Sequence, residues 1–276
     1  MALSPARSVS EKALVRHLSE LPPSAVAYSG GVDSSLVAWA LREAQGEEAL
    51  ALTVTGPAVA REEIQRAREV ARHIGIRQVE LFLDPLTDAR YASNPWNRCY
   101  YCRSLEGDRI MENARRHGRS LVLDGLHRDD LRDLRPGRRA MDERGFRHPL
   151  LEMGWGKPEV RTVARTVGLP NWDTPANSCL ASRFAPGEPI TRETLARVEE
   201  AESYLHDLGF RLVRVRTRDG FARVEVDPQE LPRLRDPSLW ETARGRLRAL
   251  GFRDALLDPQ GYRPGGAQSA QATSRE

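Results

Sequence analysis

The stretch "VAYSGGVDSSLVAWAL", residues 26–41, decides how the rest of the chain is read. A short apolar run is followed by paired glycines, by serines, and then by a helix-like pattern. Gly30 and Gly31 let the backbone approach an anion and turn several N–H groups toward it. Ser29, Ser34 and Ser35 add hydroxyl donors, and the next helix adds its positive N-terminal end. Asp33 stands there as a natural magnesium partner. No Gly-Lys-Ser/Thr follows the glycines, so this is not the P-loop kinase pattern. "SGG" alone also describes an ordinary turn before a capped helix. The strand, the whole "SGGVDSS" and the helix together point to a phosphate cradle.

Around this loop, strands and helices alternate. "AVAYS" (25–29), "EALALTVTG" (48–56), "RQVELFLD" (77–84) and "SLVLDG" (120–125) read as strands. Helices are expected over 10–21, 33–45, 61–75, 104–118 and 157–169. This alternation predicts an α/β fold, a parallel sheet with helices on both faces. Ligands in such sheets bind at the carboxyl ends of the strands, near the reversal of strand order. The loops after 28, 54, 83 and 124 are therefore expected around one crevice. Residues 1–170 form this domain in the sequence reading. Residues 171–187, rich in Pro, Asn and Ser, read as a cysteine-bearing loop or linker. A small α+β domain is expected over 188–262: a helix over 192–209, two strands joined by the hairpin signal "RDG", a helix near 238–250 and a strand near 254–258. Residues 263–276 read as a disordered tail.

Composition narrows the class. The chain has 276 residues, enough for one large domain or two small ones. Its formal net charge is only +3, which argues against a dedicated nucleic-acid binder. No apolar run approaches the roughly 18 residues of a membrane span, and the N-terminus lacks an apolar signal core, so a cytoplasmic protein is expected. Its basic residues are nearly all arginine; Lys12 and Lys157 are the two lysines. The three cysteines, Cys99, Cys102 and Cys179, do not read as a disulfide framework; metal binding or thiol chemistry fits better.

The opening loop resembles the PP-loop ATP pyrophosphatase superfamily, whose signature is SGGxDS. That resemblance implies an adenine nucleotide α-hydrolase-like fold and cleavage between the α and β phosphates of ATP, with the loop holding pyrophosphate. "RCYYC" (98–102), expected to precede a helix, "LDGLHRDDLRDLRPG" (123–137), "GLPNWDTPANSCLASRF" (168–184) and "GEPITRETLARVEEAESYLHDLGFRLVRVR" (187–216) extend it. Together they resemble the LarE family from about residue 10 to about residue 230. Its members are ATP-dependent sulfurtransferases that adenylate a carboxylate of pyridinium-3,5-biscarboxylic acid mononucleotide and replace it by thiocarboxylate. The product serves the nickel-pincer cofactor of lactate racemase.

The resemblance implies further roles. ATP would be held by Ser29, Gly30, Gly31, Asp33, Ser34, Ser35 and Asp129, with Mg2+ on Asp33. Asp130 and Asp133 are further candidates for magnesium or loop positioning, or simply a solvated acidic turn. His127 and Arg128 depart from the family's usual residues. Cys179 matches the residue that single-cysteine members sacrifice as sulfur donor. With Cys99 and Cys102 the chain instead resembles the branch whose three thiolates hold a 4Fe-4S cluster with one iron open. A redox dithiol at Cys99 and Cys102 is the alternative. Arg214 and Arg216, two apart on a strand, share a face, and Val213 and Val215 point into the core. The family uses the arginine pair for the substrate phosphate, with Arg183 and Glu202 as further substrate-pocket candidates. Other nickel-pincer biosynthesis proteins and a homo-oligomer are expected partners; nucleic acid and membrane are not. Two competing readings are a PP-loop tRNA thiolation enzyme and a non-catalytic nucleotide-sensing module.

Overall fold

The computed structural model describes residues 5–132, 136–175 and 178–263. It divides into two compact units, Met1–Pro85 with Asn97–Asn177, and Leu86–Trp96 with Ser178–Glu276.

The first unit is built on a parallel sheet of β1 (Ser24–Ala27), β2 (Leu50–Thr55), β3 (Arg77–Phe82) and β4 (Leu121–Leu123), in the order β3-β2-β1-β4. Ala25 pairs with Leu50 on one side and Val122 on the other. β1 and β2 are central and almost wholly apolar, as strands covered on both faces must be. β3 and β4 are the edge strands, and Arg77, Glu80 and Phe82 of β3 are exposed.

Helix α1 (Pro5–Ser19) precedes β1, and helices α2 (Val32–Gln45) and α3 (Arg61–Ile74) connect the first three strands. Leu14, Leu18, Leu36, Val37 and Leu41 pack with Val26 and Leu123 in one core. Helix α8 (Lys157–Thr166) joins that core through Val160 and Val163. On the other sheet face, α5 (Arg98–Arg116) sets Ile110 and Ala114 against Ala25, Leu50 and Val122. The period-two alternation of strand side chains sends Ala25 to one core and Val26 to the other. Short helices α6 (Pro136–Asp142) and α7 (Pro149–Glu152) lie between β4 and α8.

One expected boundary is corrected. "RCYYC" does not precede a helix; it forms the opening turns of α5. No Gly or Pro separates Arg98 from Leu105. Asn97 stands at the N-cap position, so nothing stops the winding before the cysteines are included.

The second unit contains α9 (Arg192–Asp207), the hairpin β5 (Val213–Arg218) and β6 (Phe221–Val226), and α11 (Pro237–Ala249). β7 (Ala255–Leu257) adds parallel to β6, and α10 (Leu231–Leu234) is a single turn. Asp219 and Gly220 both have positive φ, as a type I′ hairpin turn requires. The unit also takes in residues 86–96, which include α4 (Ala89–Ala92). Buried Asn94 fastens them: its side-chain amide donates to the carbonyls of Ala185 (2.7 Å) and Glu188 (3.0 Å). The Ile190 amide donates to the Ala92 carbonyl at 2.8 Å. Nothing in "LTDARYASNPW" (86–96) hints at this docking in sequence. The expected tail, 263–276, lies outside the described residues except for Arg263.

Candidate active site

Strand order reverses at β1, which lies between β2 and β4. The loop 28–31 leaves β1 at that point and enters α2. Gly30 has φ +75°, and a Cβ there would stand 2.6 Å from the Ala67 Cα on α3. The position thus needs glycine twice over, for conformation and for space. Gly31 occupies the N-cap position of α2 with extended backbone and no side-chain cap. Ser34 Oγ accepts from the Ser29 amide at 3.2 Å and donates to the Gly31 carbonyl at 3.2 Å. Ser35 Oγ accepts from Asn171 Nδ2 at 2.9 Å, and the same amide donates to the Gly30 carbonyl at 2.8 Å. Tyr28 donates to the Ala67 carbonyl, and burial pushes its hydroxyl up to about 12, so it stays a neutral donor. The hydroxyls and buried neighbours thereby rigidify a turn whose amides stand at a helix N-terminus. That arrangement stabilises negative charge without reorganisation.

Asp33, in the first turn of α2, carries both carboxylate oxygens 2.7 Å from Lys157 Nζ. The amide of Lys157 donates to Asp129 Oδ2 at 2.8 Å. Asp129 therefore anchors the start of α8, and Asp33 holds the side chain that leaves it. Gly156 makes this approach feasible, since a Cβ there would lie 2.7 Å from Asp129 Oδ2. Gly125, just beyond β4, packs equally close to α2: its Cβ would stand 2.6 Å from the Ser34 amide nitrogen. His127 is buried, with Nε2 3.8 Å from Asp33 Oδ1 and Nδ1 3.4 Å from Asp130 Oδ2. The Arg128 amide donates to the Trp155 carbonyl. Asp133 lies outside the described residues. No local sequence signal marks Asn171 or the close approaches of Gly125 and Gly156, and Lys157 stands out in the sequence only by its rarity.

All three cysteines are free thiols. Cys99 and Cys102 lie at i and i+3 in the opening turns of α5, on one face, with Cys99 exposed. Cys102 Sγ stands 3.4 Å from Glu106 Oε1. Cys179 immediately precedes the turn Leu180–Arg183 in the second unit. Three free thiols are chemically suited to iron. Among the described residues, however, no group of three or more His, Cys, Asp or Glu side chains is placed to hold a metal ion.

The expected substrate residues belong to the second unit. Arg183 is fully buried, and its guanidinium faces Glu202 with two contacts of 2.9 Å. Its remaining nitrogen donates to the carbonyls of Ser178 (2.6 Å) and Cys179 (3.1 Å). Glu202 Oε1 also accepts from the Val215 amide at 2.8 Å. The pair thus ties the cysteine segment to α9 and β5. Val213 and Val215 are fully buried, and Arg214 and Arg216 share the opposite face as expected. That face is far from solvated. The Arg214 guanidinium sits 5.3 Å from the Tyr262 ring centroid. Arg216 Nε donates to Glu225 Oε1 at 2.7 Å, and Arg223 shares the same oxygen at 3.1 Å. The other Glu225 oxygen is buried without a hydrogen-bond partner among the described residues.

A β3-β2-β1-β4 parallel sheet with "SGGVDSS" at its switch point defines a PP-loop nucleotide-cleaving enzyme. Residues 6–95 match the asparagine synthase family. The chain is 35% identical over 254 residues to the pyridinium-3,5-bisthiocarboxylic acid mononucleotide synthase of Lactiplantibacillus plantarum, covering 91% of each chain. It is 42% identical over 253 residues to an uncharacterised Synechocystis protein, covering 91% of this chain and 94% of that one. An uncharacterised Methanocaldococcus jannaschii protein is 26% identical, over 86% of this chain and 90% of the relative. The chain belongs to the LarE family and is an ATP-dependent, adenylating sulfurtransferase. No helix among the described residues is long and apolar enough to cross a membrane.

Proposed function

We propose that this enzyme adenylates a carboxylate of pyridinium-3,5-biscarboxylic acid mononucleotide and converts it to thiocarboxylate, in assembly of the nickel-pincer cofactor of lactate racemase. The observation that carries the reading is the rigid "SGGVDSS" cradle, in a chain 35% identical over 91% of its length to a synthase of the corresponding bisthiocarboxylic mononucleotide. A substrate carboxylate oxygen attacks the α-phosphorus of ATP and the α–β bridging bond breaks. Amides at the start of α2 and the hydroxyls of Ser29 and Ser34 stabilise the charge on departing pyrophosphate. Asp33 would hold Mg2+. The acyl adenylate then has AMP as leaving group. A sulfur nucleophile attacks the acyl carbon, the carbon–oxygen bond to AMP breaks, and thiocarboxylate, AMP and one proton result.

Arg214 and Arg216 would take the substrate phosphate, for which paired guanidiniums on one strand face are suited. Arg183 and Glu202 would act by holding the Cys179 segment in register with that strand. Cys99, Cys102 and Cys179 would hold a 4Fe-4S cluster, which when bound offers an open iron able to carry sulfide. Protein prepared without oxygen should be brown and contain about four irons per chain. Colourless, iron-free, active protein that becomes lighter by one hydrogen sulfide would instead make Cys179 the sacrificial donor. The reaction itself is tested by pyrophosphate release from ATP. Release should depend on the nicotinate-derived mononucleotide; dependence on tRNA, or on neither, would overturn the substrate assignment.

A further inference from the structure

The Asp33 carboxylate is fully engaged by one ammonium. Lys157 Nζ lies 2.7 Å from each of its oxygens, and both side chains are about three-quarters buried. A magnesium ion needs a carboxylate oxygen at roughly 2.0–2.1 Å and completes its shell with water and substrate phosphates. A metal on either oxygen would sit beside the ammonium that Lys157 holds 2.7 Å from both. A divalent cation and an ammonium on one carboxylate also repel each other strongly in a partly buried site. The conflict disappears once a triphosphate arrives, because its oxygens accept both cations.

We propose that Lys157 is a cation-exchange residue: it fills the metal place on Asp33 before nucleotide binds, and moves onto the phosphates when the magnesium nucleotide enters. The inference rests on reading the 29–35 loop as the nucleotide site. The structure supplies what the exchange requires. The backbone of Lys157 is fixed, because its amide is held by Asp129 Oδ2 at 2.8 Å at the first position of α8. Only the flexible four-carbon stem has to swing. The ammonium starts beside the first turn of α2, where Ser34 is packed against Gly125. A short swing keeps it next to the helix end that takes the phosphates. His127 is also near Asp33, at 3.8 Å, but its short buried side chain lacks the reach of a four-carbon stem, so it does not substitute for the lysine. Lysine rather than arginine suits the task, since a compact point charge leaves a carboxylate without breaking a bidentate fork. One consequence is ordered entry: free metal should bind poorly, and nucleotide should bring the metal in with it.

The test uses Lys157→Met in the full chain, with two probes. Mn2+ alone, followed by electron paramagnetic resonance, reports the vacated Asp33. The Mg2+ complex of α,β-methylene-ATP, followed calorimetrically, reports the phosphate contact without turnover. The two affinities should move in opposite directions. Mn2+ should bind about tenfold or more tightly than to the unaltered protein, and the nucleotide about 10- to 100-fold more weakly, as expected for loss of one charge-assisted contact. Lys157→Arg should keep Mn2+ weak. A variant that loses both affinities together, or changes neither, overturns the exchange. Unaltered protein that fails to bind the nucleotide overturns the nucleotide-site reading as well, which separates the two failures. Circular dichroism of the variant checks that α8 is retained, and a variant with opposite shifts cannot owe them to unfolding.

Discussion

The nucleotide loop and the cysteine–arginine region solve the placement of charge in opposite ways. The loop works with backbone. Its donors are consecutive amides, stiffened by serines three to five residues away and by one glycine that touches α3. The second unit works with side chains drawn from far apart. Arg183 reaches Glu202, Glu202 reaches the Val215 amide, and Arg216 reaches Glu225. A backbone cradle is tolerant of substitutions around it but fails if its turn cannot form. A side-chain network has no such single point in its chain path, yet each member left alone is a buried charge.

The contrast breaks most sharply at the loop. Asp33→Ala should abolish substrate-dependent pyrophosphate release while the protein stays folded by circular dichroism, its thermal midpoint lowered because Lys157 loses its partner. Unchanged release would remove the loop from catalysis. Gly30→Ala should lose the activity and also stability, by about 1–3 kcal/mol in urea unfolding, from overpacking against Ala67. Behind these losses of activity comes an effect on stability alone, the largest of that kind, and it belongs to the network. Arg183→Ala leaves Glu202 buried without its partner, which typically costs about 3–5 kcal/mol. Replacing both by leucine should cost less than Arg183→Ala alone; an equal or greater loss would show that the pair is not coupled as drawn.

Smaller, and specific to binding, is Arg214→Ala. Loss of a charge-assisted contact worth about 1.5–3 kcal/mol should weaken the mononucleotide roughly 10- to 100-fold and leave ATP affinity unmoved. Equal loss of ATP binding would assign the arginine to another site. The smallest effect is electrostatic. His148 Nδ1 lies 2.7 Å from Asp124 and Nε2 2.8 Å from Asp142. Burial pushes the imidazolium down, but the two aspartates together outweigh it and hold it above the ordinary histidine range. Its contribution is therefore fully present below pH about 6.5 and is lost as pH rises through the raised folded value. Urea stability should decline over that window, and His148→Gln should flatten the decline. A slope unchanged in the variant would place the titration elsewhere.

The sequence by itself determined the parallel α/β class, because apolar strands and periodic helices alternate, and it located the loop, because every atom of that cradle comes from seven consecutive residues. It also identified the shared face of Arg214 and Arg216, since strand periodicity is local. Where α5 begins was not legible: the winding of Cys99 and Cys102 into its opening turns depends on the absence of any breaker, a weak signal beside the strong pattern further on. The docking of residues 86–96 was invisible, because Asn94 finds its carbonyls at Ala185 and Glu188, more than ninety residues away. Tertiary structure alone joined Lys157 to Asp33, Asn171 to Ser35 and Arg183 to Glu202. Charged and amide side chains carry no periodic mark of their partners, and only the folded chain, by taking them out of water, decides which pairings repay burial.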